Sequence, residues 1–339
     1  MPRIWGMRSL APLFPEKSNL PEPIGEVWLT GVDCKIATGP FAGKTLGEAW
    51  RQMPPEWRGT RFCEPGDFPI LVKFIFPNDK LSIQVHPDDD YAAAHEKAAG
   101  GRGKTEMWHV LSAEPGSSVL VGLKPGVTRE SFLRALEDHT LEEQFQRHAV
   151  QAGDTYFVPA RTPHTIGPGM VICEVQEYSD LTYRVYDYGR LDASGRPREL
   201  HIEKALEVID FKTRPFAPFR RDDPMDEFGM AYVFYLAACR YFCVEKWELD
   251  VARKNTDSSR FELFTTLKGG CEIQWDDGEC SVAMGETWFF PAALGKYALI
   301  PDKDESEILH MYVPDLPGFK KMIAAKGYSE EDRRRFIFD

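Results

Sequence analysis

Apolar and polar residues alternate from Leu81 to Pro87, which predicts a strand with Ser82, Gln84 and His86 on one face and Leu81, Ile83 and Val85 on the other. Pro87 ends it, having no N–H for a ladder. Just upstream, Pro69 to Phe76 is apolar on both faces and predicts a central strand, with Asn78-Asp79 as the turn between the two. Ile4–Gly6 and Pro23–Leu29 read as edge strands, Thr45–Trp50 as a short helix and Met53–Trp57 as a Pro-rich turn. Asp88 is an N-cap for a helix running to His95, and Gly100-Gly-Arg-Gly103 breaks it. Lys104 to Gly122 predicts a strand pair about a turn at Glu114-Pro-Gly116. Thr128 to Phe145 reads as helical, with Thr140-Leu-Glu-Glu143 as a capping box. Strands return from Val150, through Val158, Met170–Val175 and Leu181–Tyr188. Beyond a charged, Pro-bearing linker from Thr213 to Gly229 they recur to Val313, and Phe319–Lys326 predicts a closing helix.

One segment occurs twice. Gly153-Asp-Thr-Tyr-Phe-Val-Pro-Ala160 matches Gly285-Glu-Thr-Trp-Phe-Phe-Pro-Ala292, which predicts two β-barrels of similar plan in tandem. Five residues past the proline stands His164 in the first copy and Lys296 in the second. A lysine ammonium accepts nothing, so the second copy lacks a ligand that the first has.

Composition narrows the function more than the fold. The 339 residues suffice for two domains, and 43% hydrophobic content can build their cores. A net charge of -12 argues against nucleic acid or an anionic membrane as the partner. An anionic small substrate needs cations gathered locally. No apolar run is long enough to span a bilayer, and the N-terminus lacks the apolar core of a signal peptide, so the chain reads as cytoplasmic. Seven scattered cysteines without a Cys-x-x-Cys pair fit reduced thiols.

The candidate metal ligands are Gln84, His86, Glu106 and His164, since imidazole and carboxylate on a β scaffold suit zinc or another divalent first-row ion. Lys104 shares a strand face with Glu106. Asp180, Thr182 and Arg184 share another, where an arginine fork suits phosphate or a sugar oxygen. His109 reads as structural, His95, His139 and His148 as solvated, and His201 and His310 have no nameable partner.

Together, Ser82–Pro87, Gly103-Lys-Thr-Glu-Met-Trp108, Val158-Pro-Ala160 with His164, and Asp180–Asp187 resemble the type I phosphomannose isomerases, especially their short bacterial form. The resemblance extends from Trp5-Gly6 to Pro291-Ala292. It implies a mostly β bicupin with a small helical insertion, one Zn2+ per chain, and interconversion of mannose 6-phosphate and fructose 6-phosphate through an enediol. Residues 1–212 would form the metal-binding cupin, with the insertion at about 123–149. A linker at 213–229, a metal-free cupin at 230–318 and a helix with a charged tail at 319–339 would follow.

Carried over by motif, His86, Glu106 and His164 are the implied zinc ligands with Gln84 as a fourth, and Arg184 and Lys104 the implied active-site cations. Asp180 is our candidate base or base partner, Lys104 the other, and Ser82 is expected to touch substrate. Arg161 departs from the family, which has glycine there. Either the loop is rebuilt around Pro163 or Arg161 is an extra phosphate contact. A non-catalytic sugar-binding bicupin, a free-mannose isomerase and an iron-dependent bicupin oxygenase are the rival readings.

Overall fold

A computed structural model describes residues 1–11, 13–60, 62, 66–192, 194–212, 218–219, 226–228, 231–255, 259–302 and 305–339. Cys63 and most of the expected linker at 213–229 lie outside these. The chain divides into two compact units. One comprises Met1–Leu10, Lys17–Val27 and Lys73–Arg220, the other Ala11–Glu16, Trp28–Val72 and Arg221–Asp339. Residues 28–72 therefore belong with the C-terminal half, unlike a simple cut at the linker. The reason lies in aromatic packing within that unit, where Trp50 meets Phe68 and Phe261 edge-on at 5.1 and 5.4 Å.

The N-terminal half contains β1 (Pro2–Met7), β2 (Glu26–Trp28), β3 (Ile70–Ile75), β4 (Ile83–Val85), β5 (Glu106–Ala113) and β6 (Ser118–Leu123). It continues with β7 (Phe145–Ala149), β8 (Thr155–Val158), β9 (His164–Ile166), β10 (Met170–Glu177) and β11 (Tyr183–Tyr186). Strands β2 to β11 form two sheets, ordered β2-β3-β10-β5-β8 and β11-β4-β9-β6-β7, while β1 makes isolated bridges to Ile24 and Pro77. Ile75, Trp108, Val110 and Val158 from the first sheet share a core with Val119, Val121 and Ile166 from the second. The strands flanking Glu114-Pro-Gly116 therefore do not pair with each other as expected. The turn carries the chain from one sheet to the other.

The helices of this half are α3 (Asp89–His95), α4 (Arg129–Glu137) and α5 (Ile202–Val208), following α1 (Leu46–Gln52) and α2 (Pro55–Arg58) in the other unit. Helices α4 and α5 cover the outer face of the second sheet, packing Phe132, Ala135, Ala205 and Leu206 on Ile83, Val85, Tyr183 and Val185. That covering is why the alternating strand can turn Gln84 and His86 inward. Asp88 caps α3 as expected, its side chain accepting from Tyr91 N–H at 2.9 Å. The capping box of the insertion is Thr128 with Ser131. Thr140 sits at φ -111°, ψ 19°, outside the extended region a cap requires, and only a 3-10 turn follows it.

The C-terminal half holds β12 (Asp226–Phe228), β13 (Ala231–Ala238), β14 (Cys243–Leu249), β15 (Arg253–Asn255) and β16 (Glu262–Lys268). β17 (Cys271–Trp275), β18 (Gly278–Val282), β19 (Thr287–Phe290), β20 (Tyr297–Pro301) and β21 (Ser306–Tyr312) complete its sheets, ordered β12-β13-β14-β21-β16-β19 and β15-β20-β17-β18. Helix α6 (Leu316–Ala325) buries Phe319 and Ile323 in the core, and the charged tail forms the exposed helix α7 (Glu330–Arg334). The repeated segments adopt one conformation. Gly153 and Gly285 take φ of 87° and 82° to open the turns before β8 and β19.

Candidate metal centre and its cavity

Three candidate ligands come from three strand ends. His86 follows β4, Glu106 opens β5 and His164 opens β9, while pairing of β4 with β9 sets Gln84 opposite His164. Glu106 Oε1 lies 3.2 Å from His164 Nε2, and Oε2 lies 3.5 Å from His86 Nε2. One donor atom from each falls within 4.8 Å of the others. All three side chains are at most 2% exposed, so no solvent competes for them.

The hydrogen bonds prepare these atoms for a cation. His86 Nδ1 meets the Leu181 carbonyl at 2.8 Å and His164 Nδ1 meets the Thr162 carbonyl at 2.9 Å. Each Nδ1 therefore carries the proton, and each Nε2 keeps its lone pair for the centre. Burial, then the Lys104 ammonium, pushes the His86 pKa down to about 3, and burial also lowers that of His164. Burial alone would raise the Glu106 pKa, but the Lys104 ammonium holds it well below the usual carboxylate range. Both Glu106 oxygens are buried and, apart from the ion pair of Oε2 with Lys104, have no bonding partner. Two neutral imidazoles and a carboxylate with unfilled lone pairs fit a divalent cation. Gln84 Nε2 stands 3.3 Å from His164 Nε2, and its Oε1 is 3.4 Å from Ser82 Oγ. Half a turn of the amide would present an oxygen to the centre.

A cavity of about 400 Å³ adjoins this group, with Ser82, Gln84, Lys104, Asp180, Thr182 and Arg184 in its wall. The parity argument thus holds for both polar faces, while Leu181, Tyr183 and Val185 pack outward with the helices. Lys104 Nζ is 2.7 Å from Glu106 Oε2 and 3.3 Å from His86 Nε2. Arg184 lies across from Gln84 in the β11–β4 register. Arg161 is not brought to this wall. It takes φ 72°, its Nε donates to the Val208 carbonyl at 3.0 Å, and its Nη1 pairs with Asp88 at 3.2 Å. The loop keeps the glycine-like backbone and anchors the arginine elsewhere. His109 is structural, bonded through Nδ1 to Thr155 Oγ1 at 3.0 Å.

Several wall residues escaped the sequence reading. Lys73 Nζ pairs with Glu174 at 2.6 Å, and Glu174 also accepts from Trp108 Nε1 at 3.0 Å. Burial, then the nearby Lys104, lowers the Lys73 pKa. The signal was present, since a lysine in an otherwise apolar β3 and an acid in an apolar stretch of β10 are costly unless paired or used. Arg3, Glu26, Arg198 and His201 line the cavity too. Arg198 and His201 come from an aperiodic connection that offers no pattern to read.

In the C-terminal half His310 is clamped between carboxylates, Nδ1 to Glu245 at 3.1 Å and Nε2 to Glu262 at 2.9 Å. Tyr312 donates to Glu245 at 2.8 Å, and Tyr297 donates to Glu262. Burial lowers the His310 pKa, but the two carboxylates outweigh it and raise the value overall.

A model of the type I phosphomannose isomerase catalytic domain matches residues 3–108, and one of the mannose-6-phosphate isomerase cupin domain matches residues 233–300. The mannose-6-phosphate isomerase ManA of Bacillus subtilis (strain 168) is 32% identical over 307 residues, 88% of this chain and 92% of that one. The crystal structure of mannose 6-phosphate isomerase from Bacillus subtilis has a TM-score of 0.82 at 27% identity, over 92% of this chain and 96% of that one. A zinc-bound mannose 6-phosphate isomerase structure shares the fold, with a TM-score of 0.68 at 17% identity over 92% and 97% of the two chains. Fold and site define a mostly β, cupin-type protein with a candidate metal centre in its N-terminal half. With this likeness along nearly its whole length, the chain belongs to the type I mannose-6-phosphate isomerase family and is an enzyme of that family.

Proposed function

We propose that the protein is a zinc-dependent aldose-ketose isomerase that interconverts mannose 6-phosphate and fructose 6-phosphate in the cytoplasm. The observation that supports this most directly is the buried Glu106 carboxylate, held between two imidazoles with Lys104 as its only ion-paired cation among the described residues, beside a cation-lined cavity. The zinc of the related structure and the substrate in the relatives' names fit that donor set and that wall. We further read the architecture as a bicupin. The metal-binding cupin spans 1–212, apart from the 11–16 and 28–72 segments, and the metal-free cupin spans 230–318.

His86, Glu106 and His164 would hold the zinc with Gln84 as a fourth ligand, and the bound ion would supply Lewis acidity toward the sugar oxygens. Asp180, or Lys104 where it is neutral and leaves charge stabilisation to Arg184, takes the proton from C2 of the open-chain aldose and returns it to C1, while the hydroxyl proton passes from O2 to O1. Lys104 and Arg184 stabilise the enediolate charge, and Ser82 contacts the sugar; in a site this buried a fixed cation acts strongly. Lys73, with its lowered pKa, is a third group that can hold a proton.

The test is metal analysis of purified protein combined with coupled assays on mannose 6-phosphate and on free mannose. Zinc with phosphate-dependent turnover is expected. Iron with oxygen uptake, or sugar binding without turnover, would replace the isomerase reading with one of its rivals.

A further inference from the structure

The chain has eight tryptophans. Four of them, Trp5, Trp50, Trp108 and Trp247, are 1–4% exposed, as suits so large an apolar side chain in a core. The other four, Trp28, Trp57, Trp275 and Trp288, are only half-buried, and all four line one cavity of about 700 Å³. Phe41 and Phe289 extend its aromatic wall, with Phe41 meeting Trp57 edge-on at 5.8 Å. The described lining lies wholly in the second unit and includes no residue of the metal centre or of the cavity beside it. An aromatic surface of this extent left in contact with water marks a place where something binds.

Charge and hydrogen bonding in the wall restrict the ligand. Among the described lining only Lys35 and Glu286 are charged, and their signs are opposite, so nothing there matches a phosphate. Glu286 Oε2 already accepts from Trp288 Nε1 at 3.0 Å and from the Ala283 N–H at 3.1 Å. The indole N–H groups of Trp57 and Trp275, by contrast, bond no described residue. Thr287, Trp288 and Phe289 belong to β19, the last strand of its sheet, where every second residue has no ladder partner for its N–H and C=O. A purely apolar ligand would leave these groups dry and unpaired. The ligand that satisfies them is neutral, flat enough to cover an indole and ringed with hydroxyls, which describes a pyranose. Its C–H face packs on the indole while its hydroxyls exchange hydrogen bonds at the rim. A volume well inside the range of about 300–1,000 Å³ for small-molecule sites leaves room for two linked rings.

We propose that this cavity is a second ligand site, which binds a neutral saccharide of at least two pyranose rings without turning it over. Trp57 on α2 and Trp275 at the end of β17 supply stacking faces and free N–H donors, and the edge of β19 supplies backbone donors and acceptors. The site goes beyond the isomerase reading and does not need it, since it shares no residue with the metal centre.

The experiment titrates the full chain with mannobiose, cellobiose and maltose, followed by calorimetry and tryptophan fluorescence. It compares wild type with Trp57→Ala, Trp275→Ala and Ala293→Trp, all checked for folding by circular dichroism. Ala293 is exposed on the Ala292–Leu294 turn, so a tryptophan there fills the cavity and removes nothing from the core. At least one disaccharide should bind with a Kd of about 10 mM or tighter and change the fluorescence. Each variant should raise that Kd by at least about 10-fold, while turnover of mannose 6-phosphate is unchanged. Should a tryptophan variant fail to fold, Ala293→Trp carries the comparison. No binding of any disaccharide, or binding that the variants keep, would overturn the proposal. Displacement of the disaccharide by mannose 6-phosphate would overturn it too, by placing the ligand at the metal centre. So would binding of the apolar dye anilinonaphthalene sulfonate in place of the disaccharides, or a concentration-dependent mass in sedimentation that Ala293→Trp abolishes, because each names a different occupant. If the wild type turns over no sugar, the isomerase reading fails by itself and the titrations still decide this site.

Discussion

Replacing Glu106 by Gln tests the charge logic of the centre without needing its metal. The carboxylate is fully buried and sits 2.7 Å from an ammonium that is 3% exposed. At an effective dielectric near 20, that separation corresponds to about 6 kcal/mol of attraction. The amide still offers an oxygen to Lys104 and spares the desolvation of an anion. The net cost of stranding the ammonium is therefore about 3–5 kcal/mol. For a folding unit of this size each kcal/mol shifts Tm by roughly 2–4 °C, so the variant should melt about 6–20 °C below wild type. The assay is calorimetry of both proteins stripped with a chelator near neutral pH, with zinc content measured beforehand. The double variant Lys104→Met/Glu106→Gln strands no charge and should recover most of the loss. A single variant melting within about 2 °C of wild type, or a double variant with no recovery, would refute the stranded-charge argument.

His310→Gln should destabilise by about 3–5 kcal/mol, since it leaves Glu245 and Glu262 facing each other in a dry core. In the wild type, the raised His310 pKa contributes stability fully below about 6.5, and that contribution is lost as pH rises through the higher folded value. Glu245, held at about 2, contributes above its ordinary value near 4.5 and loses that as pH falls toward 2. Urea melts across this range should show both declines, and the variant should lack the alkaline one. Arg161→Gly should leave KM for mannose 6-phosphate unchanged. Its stability should change by less than about 1 kcal/mol, because relief of the left-handed backbone offsets the lost half-exposed pair with Asp88. A large rise in KM would return Arg161 to the substrate.

The parts of the site legible in the sequence were those written with period two. Ser82, Gln84 and His86, then Lys104 and Glu106, then Asp180, Thr182 and Arg184 could each be put on a face. In the structure those faces turn to one cavity or to the candidate ligands behind it. Strand partners could not be read this way, because parity assigns a face and not a neighbour. Hence the chain's change of sheet at Glu114-Pro-Gly116 was missed. Aperiodic segments were silent, which hid Arg198, His201 and helix α5. Lys73 and Glu174 were hidden for the opposite reason, as strong apolar runs drew attention from the single charge in each.

The two halves show what a buried carboxylate demands of this scaffold. Glu106 pairs with Val158, five residues past Gly153, and Glu262 pairs with Phe290, five past Gly285, so the two acids occupy one position of the repeat. By the same register Glu174 stands opposite Trp108 as His310 does opposite Phe264. Where the first half has Glu174, the second supplies an imidazole that bonds Glu262, and Tyr297 closes the other oxygen. Where the first half has His164, the second has Lys296, which can ligate nothing while protonated. One acid is satisfied by protons on both oxygens, and the other, paired with Lys104, has imidazole lone pairs aimed beside it. The proposed stoichiometry of one zinc per chain follows from that difference, because a cation entering the second position would first have to displace an imidazolium and a phenol.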